Sequence, residues 1–134
     1  AAHPFNPLAL LRLAIACQSQ GLPNRHVCET IFKHVWSGGA DASDAQRLQT
    51  LTQQLAPKQA AASDEVKAQL KAHTDEAIDM GVFGVPTLLV DGKLFWGLDS
   101  LPMLRAYLDG DDWFSGSARS DVTQIPAQSV RRVR

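Results

Sequence analysis

The chain has 134 residues, 45% of them hydrophobic and 20% charged, a composition that fits one globular domain and excludes a wholly disordered polypeptide. Thirteen Lys and Arg against fourteen Asp and Glu leave a net charge of -1. No basic field draws in phosphate backbones, so no nucleic-acid partner is expected. The sequence has no apolar run long enough to span a bilayer, and "AAHPFNP" has no charged leader followed by an apolar stretch, so no membrane partner and a cytoplasmic location are expected.

In chain order, Asn6 followed by Pro7 reads as an N-cap with proline at the first helical position, where its missing N–H costs nothing. A helix over about 7–19 follows, with Leu8, Leu11 and Ile15 on one face and Leu10, Leu13, Ala14 and Cys17 widening it, until Gly21 and Pro23 stop it. Apolar nearly all round, it should be buried on more than one side. Asn24 caps a second predicted helix, about 25–36, with Val27, Ile31 and Val35 inward, Cys28, Phe32 and Trp36 close by, and Ser37-Gly38-Gly39 ending it. Ser43 or Asp44 starts a third, carrying Leu48, Leu51 and Leu55 and stopped by Pro57. A fourth opens at Ser63 or Asp64, sets Val66, Leu70, His73 and Ala77 on one face, exposes Lys67, Lys71, Asp75, Glu76 and Asp79 on the other, and reaches Gly81 in the C-cap region.

The hydrophobic period then shortens. "TLLV" and "KLFW" are strand-length runs separated by Asp91-Gly92, a strong two-residue hairpin signal. Leu98-Asp99 opens a last helix, about 100–108, with Leu101, Leu104 and Leu108 as its buried stripe and Asp99 as its N-cap. Residues 111–134 lack a sustained period and read as an irregular tail, whose Arg131, Arg132 and Arg134 form a solvated end. This divides the chain into a helical part (1–80), a ββα part (81–110) and the tail (111–134).

An isolated hairpin is marginal in water, and two apolar strands demand cover on both faces and a further paired edge. Either more strands precede Ala1 in the intact polypeptide or a second copy supplies an edge.

Cys17 and Cys28 fall on different predicted helices and match neither a CxxC redox pair nor a zinc spacing. They read as structural thiols, with a disulfide between them left open by spacing. His3, His26 and His34 are scattered without metal spacing, so no metal site is expected, and His73 reads as a core or edge histidine. Phe83, Phe95 and Trp96 read first as core and second as walls of an aromatic pocket.

The segments "HPFNPLALLRLAIA" and "VKAQLKAHTDEAIDMGVFGVPTLLVDGKLFWGLDSLPML" resemble 2-hydroxychromene-2-carboxylate isomerases and kappa-class glutathione transferases, members of the DsbA-like thioredoxin superfamily. The resemblance spans roughly residues 3–108. It implies an α/β, mostly helical chain: a partial DsbA-like thioredoxin fold holding the helical insertion and the C-terminal ββα half. The N-terminal βαβ half, which carries the family's catalytic serine or cysteine, has no counterpart here, so no catalytic residue is assigned in this chain.

The resemblance also implies a cis Val85-Pro86 bond, although X-Pro bonds in general favour trans. The freed backbone of Val85 would then bind the cysteinyl part of glutathione. Asp99 would meet its γ-glutamyl end, and the amides of Leu98 to Ser100 would meet its α-carboxylate. Relatives often carry a hydrogen-bonding side chain where Leu98 stands, and an "NT" pair where this chain has His73-Thr74. The implied binding residues are thus Val85, Pro86, Leu98 and Asp99, with glutathione as cofactor and a small aromatic-derived acid as substrate. In the family reaction the sulfur adds to the unsaturated acid, permits bond rotation or ring opening, and is expelled without net redox. Two alternatives stand beside this isomerase: a non-catalytic module that homodimerises through its strand edge, and kappa-type transfer or DsbA-like thiol–disulfide exchange.

Overall fold

A computed structural model describes residues 4–18 and 22–115 of the chain. Among the described residues, five α-helices and one β-hairpin divide between two compact units, Ala1–Gly81 and Val82–Arg134.

In the first unit, α1 (Leu8–Ala16) lies at the centre. The expected cap is shifted by one residue: Pro7, whose carbonyl accepts the Leu11 amide at 2.9 Å, holds the N-cap position, and the Asn6 side chain before it accepts the amide of Leu8 at 3.0 Å. The expectation of a helix to about residue 19 is corrected, because the Ala16 carbonyl is taken at 2.9 and 3.1 Å by the amides of Lys58 and Gln59. These two donors satisfy a terminal carbonyl that has no intrahelical partner. Residues 19–21, including the Gly21 stop signal, lie outside the described residues.

Two separate clusters bury α1 on two sides, although Leu8 and Leu11, expected on a buried face, stay exposed. Leu10, Leu13 and Cys17 pack with Val27, Ile31, Val35, Ala42 and Leu51, while Ile15 and Ala16 pack with Val66 and the part-buried Leu70. Each large aliphatic side chain fully removed from water contributes about 1.5–3 kcal/mol, which makes α1 the element whose loss would separate both clusters.

Caps at the other helices follow from sequence. Asn24 accepts the amide of Val27 at 3.0 Å to start α2 (Arg25–Phe32). Asp44 accepts that of Arg47 at 2.9 Å to start α3 (Ala45–Leu55), and Ser63 that of Val66 at 3.3 Å to start α4 (Asp64–Asp79). Each such cap contributes about 1 kcal/mol. Ala56 in the left-handed region then ends α3 just before Pro57, and Gly81 at φ 81° follows α4.

The second predicted helix changes character before its end: α2 passes into a π-helical turn, Lys33–Ser37. Val27, Ile31 and Val35 stay inward, but Phe32 and Trp36, placed near the core by periodicity, are about 60% exposed (60% and 63%). After the turn the backbone is held by Arg47, whose guanidinium donates to the carbonyls of His34 at 2.7 Å and Asp41 at 2.5 Å. His34 itself bonds the Ala42 carbonyl at 3.0 Å, a structural role for that histidine. Both cysteines are free, Cys17 buried and Cys28 partly so, and burial pushes the Cys17 thiol above its ordinary range.

In the second unit, β1 (Thr87–Val90) pairs antiparallel with β2 (Lys93–Trp96) in the register Thr87↔Trp96 to Val90↔Lys93. Asp91 and Gly92 both take positive φ, 49° and 72°, the geometry of a two-residue turn whose twist matches the strands. The alternation of a strand puts Leu88, Val90, Lys93 and Phe95 on one face. That face meets α5 (Leu101–Leu108): Phe95 is buried with its ring centroid 5.8 Å from Tyr107, and Lys93 lies over the Tyr107 ring. The Tyr107 hydroxyl donates to Asp91 at 2.8 Å, pinning the hairpin turn to α5.

Two expectations are corrected here. The last helix is entered through a 3-10 turn, Leu98–Ser100, and of its predicted stripe only Leu104 is buried, Leu101 and Leu108 being exposed. A two-stranded sheet presents a narrow surface, and Leu104 and Tyr107 occupy the helix face towards it. The stretch from 111 begins not irregularly but with a 3-10 turn, Asp112–Phe114, capped by Asp111, whose Phe114 ring packs 5.1 Å from Tyr107. Residues 116–134, including Arg131, Arg132 and Arg134, lie outside the described residues, as does His3.

Two outcomes follow for the first unit. A Cβ at Gly38 would overlap the Arg47 guanidinium and approach the His34 carbonyl to 2.8 Å, so Gly38→Ala should cost about 1–3 kcal/mol in urea unfolding by displacing Arg47 from its two carbonyls. In the native protein, iodoacetamide should alkylate Cys28 well before Cys17, as mass spectrometry of digests would read, because Cys17 is both buried and harder to ionise.

Candidate functional site

The site grows from the hairpin. Beyond the last ladder pair, Thr87↔Trp96, the Gly97 amide donates to the Pro86 carbonyl at 2.9 Å, so the antiparallel register continues one step past both strands. The pairing stops there, because Leu98 enters a 3-10 turn; Val85 and Leu98 each lie one residue beyond the Pro86–Gly97 pair.

The Val85-Pro86 peptide bond is cis. The loop before it is fastened by the Thr87 hydroxyl, which donates to the Gly84 carbonyl at 2.5 Å. Among the described residues, neither the N–H nor the C=O of Val85 has a hydrogen-bond partner, and Val85 is 87% exposed. An exposed backbone with both groups open can pair with an extended peptide ligand.

Two glycines shape this surface, and periodicity gave no reason to single them out. A Cβ on Gly84 would stand 2.6 Å from Nε1 of Trp96, so only glycine lets the indole lie over the loop. Gly97, at φ 85°, needs glycine twice: for its backbone, and because a Cβ there would overlap the Asp99 carboxylate. Asp99 thus folds back over Gly97. The legible signal was the pairing of each glycine with its neighbour, in "FGVP" and "WGLD".

Asp99 is exposed and caps no helix amide, contrary to the N-cap expected from sequence. Gly97 and Ser100 take the flanking positions instead: the Ser100 hydroxyl and amide both donate to the Gly97 carbonyl, at 2.8 and 3.3 Å. Ser100 therefore drops out of the amides expected to face an anion, and Leu98 and Asp99 keep theirs. The Asp99 carboxylate is left open towards solvent rather than spent on the helix.

The three aromatic residues separate. Phe95 is core, packed with Tyr107 and Phe114. Phe83 and Trp96 lean on each other at 5.1 Å and 53° and are 75% and 53% exposed, forming an aromatic wall beside Val85. His73, on α4 in the first unit, is half-buried, and Thr74 spends its hydroxyl on the Leu70 carbonyl at 2.8 Å. Among the described residues, no three His, Cys, Asp or Glu side chains come together as a metal site, and no helix is long and apolar enough to cross a membrane.

Over 83 aligned residues the chain is 31% identical to the 2-hydroxychromene-2-carboxylate isomerase of Sphingobium xenophagum, covering 58% of this chain and 42% of that enzyme. It spans less than half the length of that relative. No solved structure gives a match. The DsbA-like thioredoxin domain matches residues 3–109, the helices and the ββα part alike, and the chain therefore belongs to the DsbA-like thioredoxin domain family.

Proposed function

We propose that the Val82–Arg134 unit forms the peptide-binding wall of a glutathione-dependent isomerase resembling 2-hydroxychromene-2-carboxylate isomerase, acting on a small aromatic-derived acid. The observation that carries this reading is the exposed, unpartnered backbone of Val85 next to Pro86, whose carbonyl accepts from Gly97, with the uncommitted Asp99 carboxylate two residues further on. The likeness to the Sphingobium enzyme supplies the activity class.

The residues present fit glutathione. The Val85 N–H and C=O would pair with the cysteinyl residue as a strand edge pairs with an added strand. Asp99 would accept from the γ-glutamyl ammonium, and the amides of Leu98 and Asp99 would donate to the α-carboxylate. Glutathione, when bound, supplies a nucleophilic sulfur that adds to the unsaturated acid and is later expelled. Phe83 and Trp96 would hold the flat ring of the acid and keep water from it. The thiolate-stabilising residue is assigned to none of this chain's side chains. A reducing, cytoplasmic setting suits both the cofactor and the two free cysteines.

A second reading, homodimerisation through a strand edge, is favoured by one observation: the sheet has only two strands among the described residues, so β1 and β2 each leave an edge unpaired. Kappa-type transfer or thiol–disulfide exchange would use the same wall, and a serine or a CxxC at the catalytic position would separate them.

Calorimetric titration of glutathione into the 134-residue chain tests the leading reading. It should give saturable heat, and Asp99→Ala should weaken binding by about tenfold through loss of a charge-assisted contact. No heat up to millimolar glutathione would contradict a wall assembled by this chain. A dimer by sedimentation under those conditions would favour the edge-pairing module.

A further inference from the structure

Arg12 is the unabsorbed charge of the first unit. It follows Leu8 by one turn of α1 and borders a groove of about 300 Å³ between α1 and α4, lined also by Lys67, Leu70, Lys71 and Asp75. The two lysines are already paired on their own helix, Lys67 with Asp64 at 2.9 Å and Lys71 with Asp75 at 2.5 Å. Arg12 has no ion pair or hydrogen bond among the described residues, and its Nε is buried without an acceptor. A guanidinium stays charged at any working pH, and a buried donor without a partner destabilises the protein that holds it.

The lining defines the acceptor. With Lys67 held by Asp64 and Lys71 by Asp75, the uncompensated charge at the groove is the single cation of Arg12, which suits one anionic group, while the Asp75 carboxylate on the rim repels a ligand carrying several. Leu8, 44% exposed, and Leu70 supply the apolar part of the lining, and Thr74, whose hydroxyl is spent on the Leu70 carbonyl, completes it. The volume is at the small end of ligand pockets. A planar carboxylate matches the guanidinium fork.

We propose that the α1–α4 groove is a binding site for a small amphiphilic monocarboxylate, its carboxylate on Arg12 beside Lys71 and its apolar tail on Leu8 and Leu70. The groove lies wholly within the first unit, so the proposal stands or falls apart from the glutathione reading.

Sodium octanoate, kept below its micellar concentration, is the probe, with amide chemical shifts of the ¹⁵N-labelled 134-residue chain as readout. Residues 8–13 and 67–74 should shift saturably. Arg12→Gln should weaken the binding by about tenfold or more, and 1-octanol should leave these amides unmoved. Should Arg12→Gln fail to fold, Lys71→Glu, at a side chain 75% exposed, provides the second variant and should weaken binding several-fold. The proposal is overturned if these amides do not shift, if 1-octanol moves them equally, or if the folded variants bind octanoate as the parent does.

Discussion

One backbone hydrogen bond, from the Gly97 amide to the Pro86 carbonyl, carries the hairpin's register past the ends of both strands and so decides what faces what at the candidate site. A slip of one residue would turn Phe95 outward and Trp96 inward, exchanging core for wall. The register is held at the far end by the Asp91-Gly92 turn and by Tyr107, which bonds Asp91 while packing on Phe95. The core of the second unit and the geometry of its exposed loop are therefore consequences of the same pairing. Gly84 and Gly97 convert that pairing into a surface, one by admitting the Trp96 indole and the other by admitting the Asp99 carboxylate.

The two units distribute their apolar residues differently. The first buries α1 on two sides and closes its loops with caps, two amides on the Ala16 carbonyl and the Arg47 clamp. In the second, Phe95 and Leu104 are buried while Phe83, Val85, Trp96 and Leu98 stand exposed around one loop.

Much of the fold was legible because it is written in local chemistry. Asn24, Asp44 and Ser63 cap where their side chains allow, and Asp91-Gly92 turns because both residues tolerate positive φ. The inward set Val27, Ile31 and Val35 was legible from spacing alone. What escaped depends on partners distant in sequence. α1 ends early because Lys58 and Gln59 reach its last carbonyl, and Leu101 and Leu108 stay exposed because the sheet beneath α5 is narrow. The place of Asp99 before a helix predicts a cap, and the 3-10 entry at Leu98–Ser100 moves it off that duty. Gly84 was invisible as a site residue because its role exists only once Trp96 lies over it. The cis Val85-Pro86 bond was indicated by family resemblance, against the general preference of such bonds.

The central claim is that the paired ends of the hairpin, not some other surface, receive the thiol peptide. It is tested most directly by following the amide spectrum of the ¹⁵N-labelled chain as glutathione is added, in the parent and in Gly97→Ala. The account predicts that shifts concentrate at Val85, Gly97, Leu98 and Asp99, with the Trp96 indole N–H moving in step, and that Gly97→Ala abolishes them while leaving the amides of α1 to α4 in place. Saturable shifts confined to the first unit, or an unchanged response in Gly97→Ala, would contradict it.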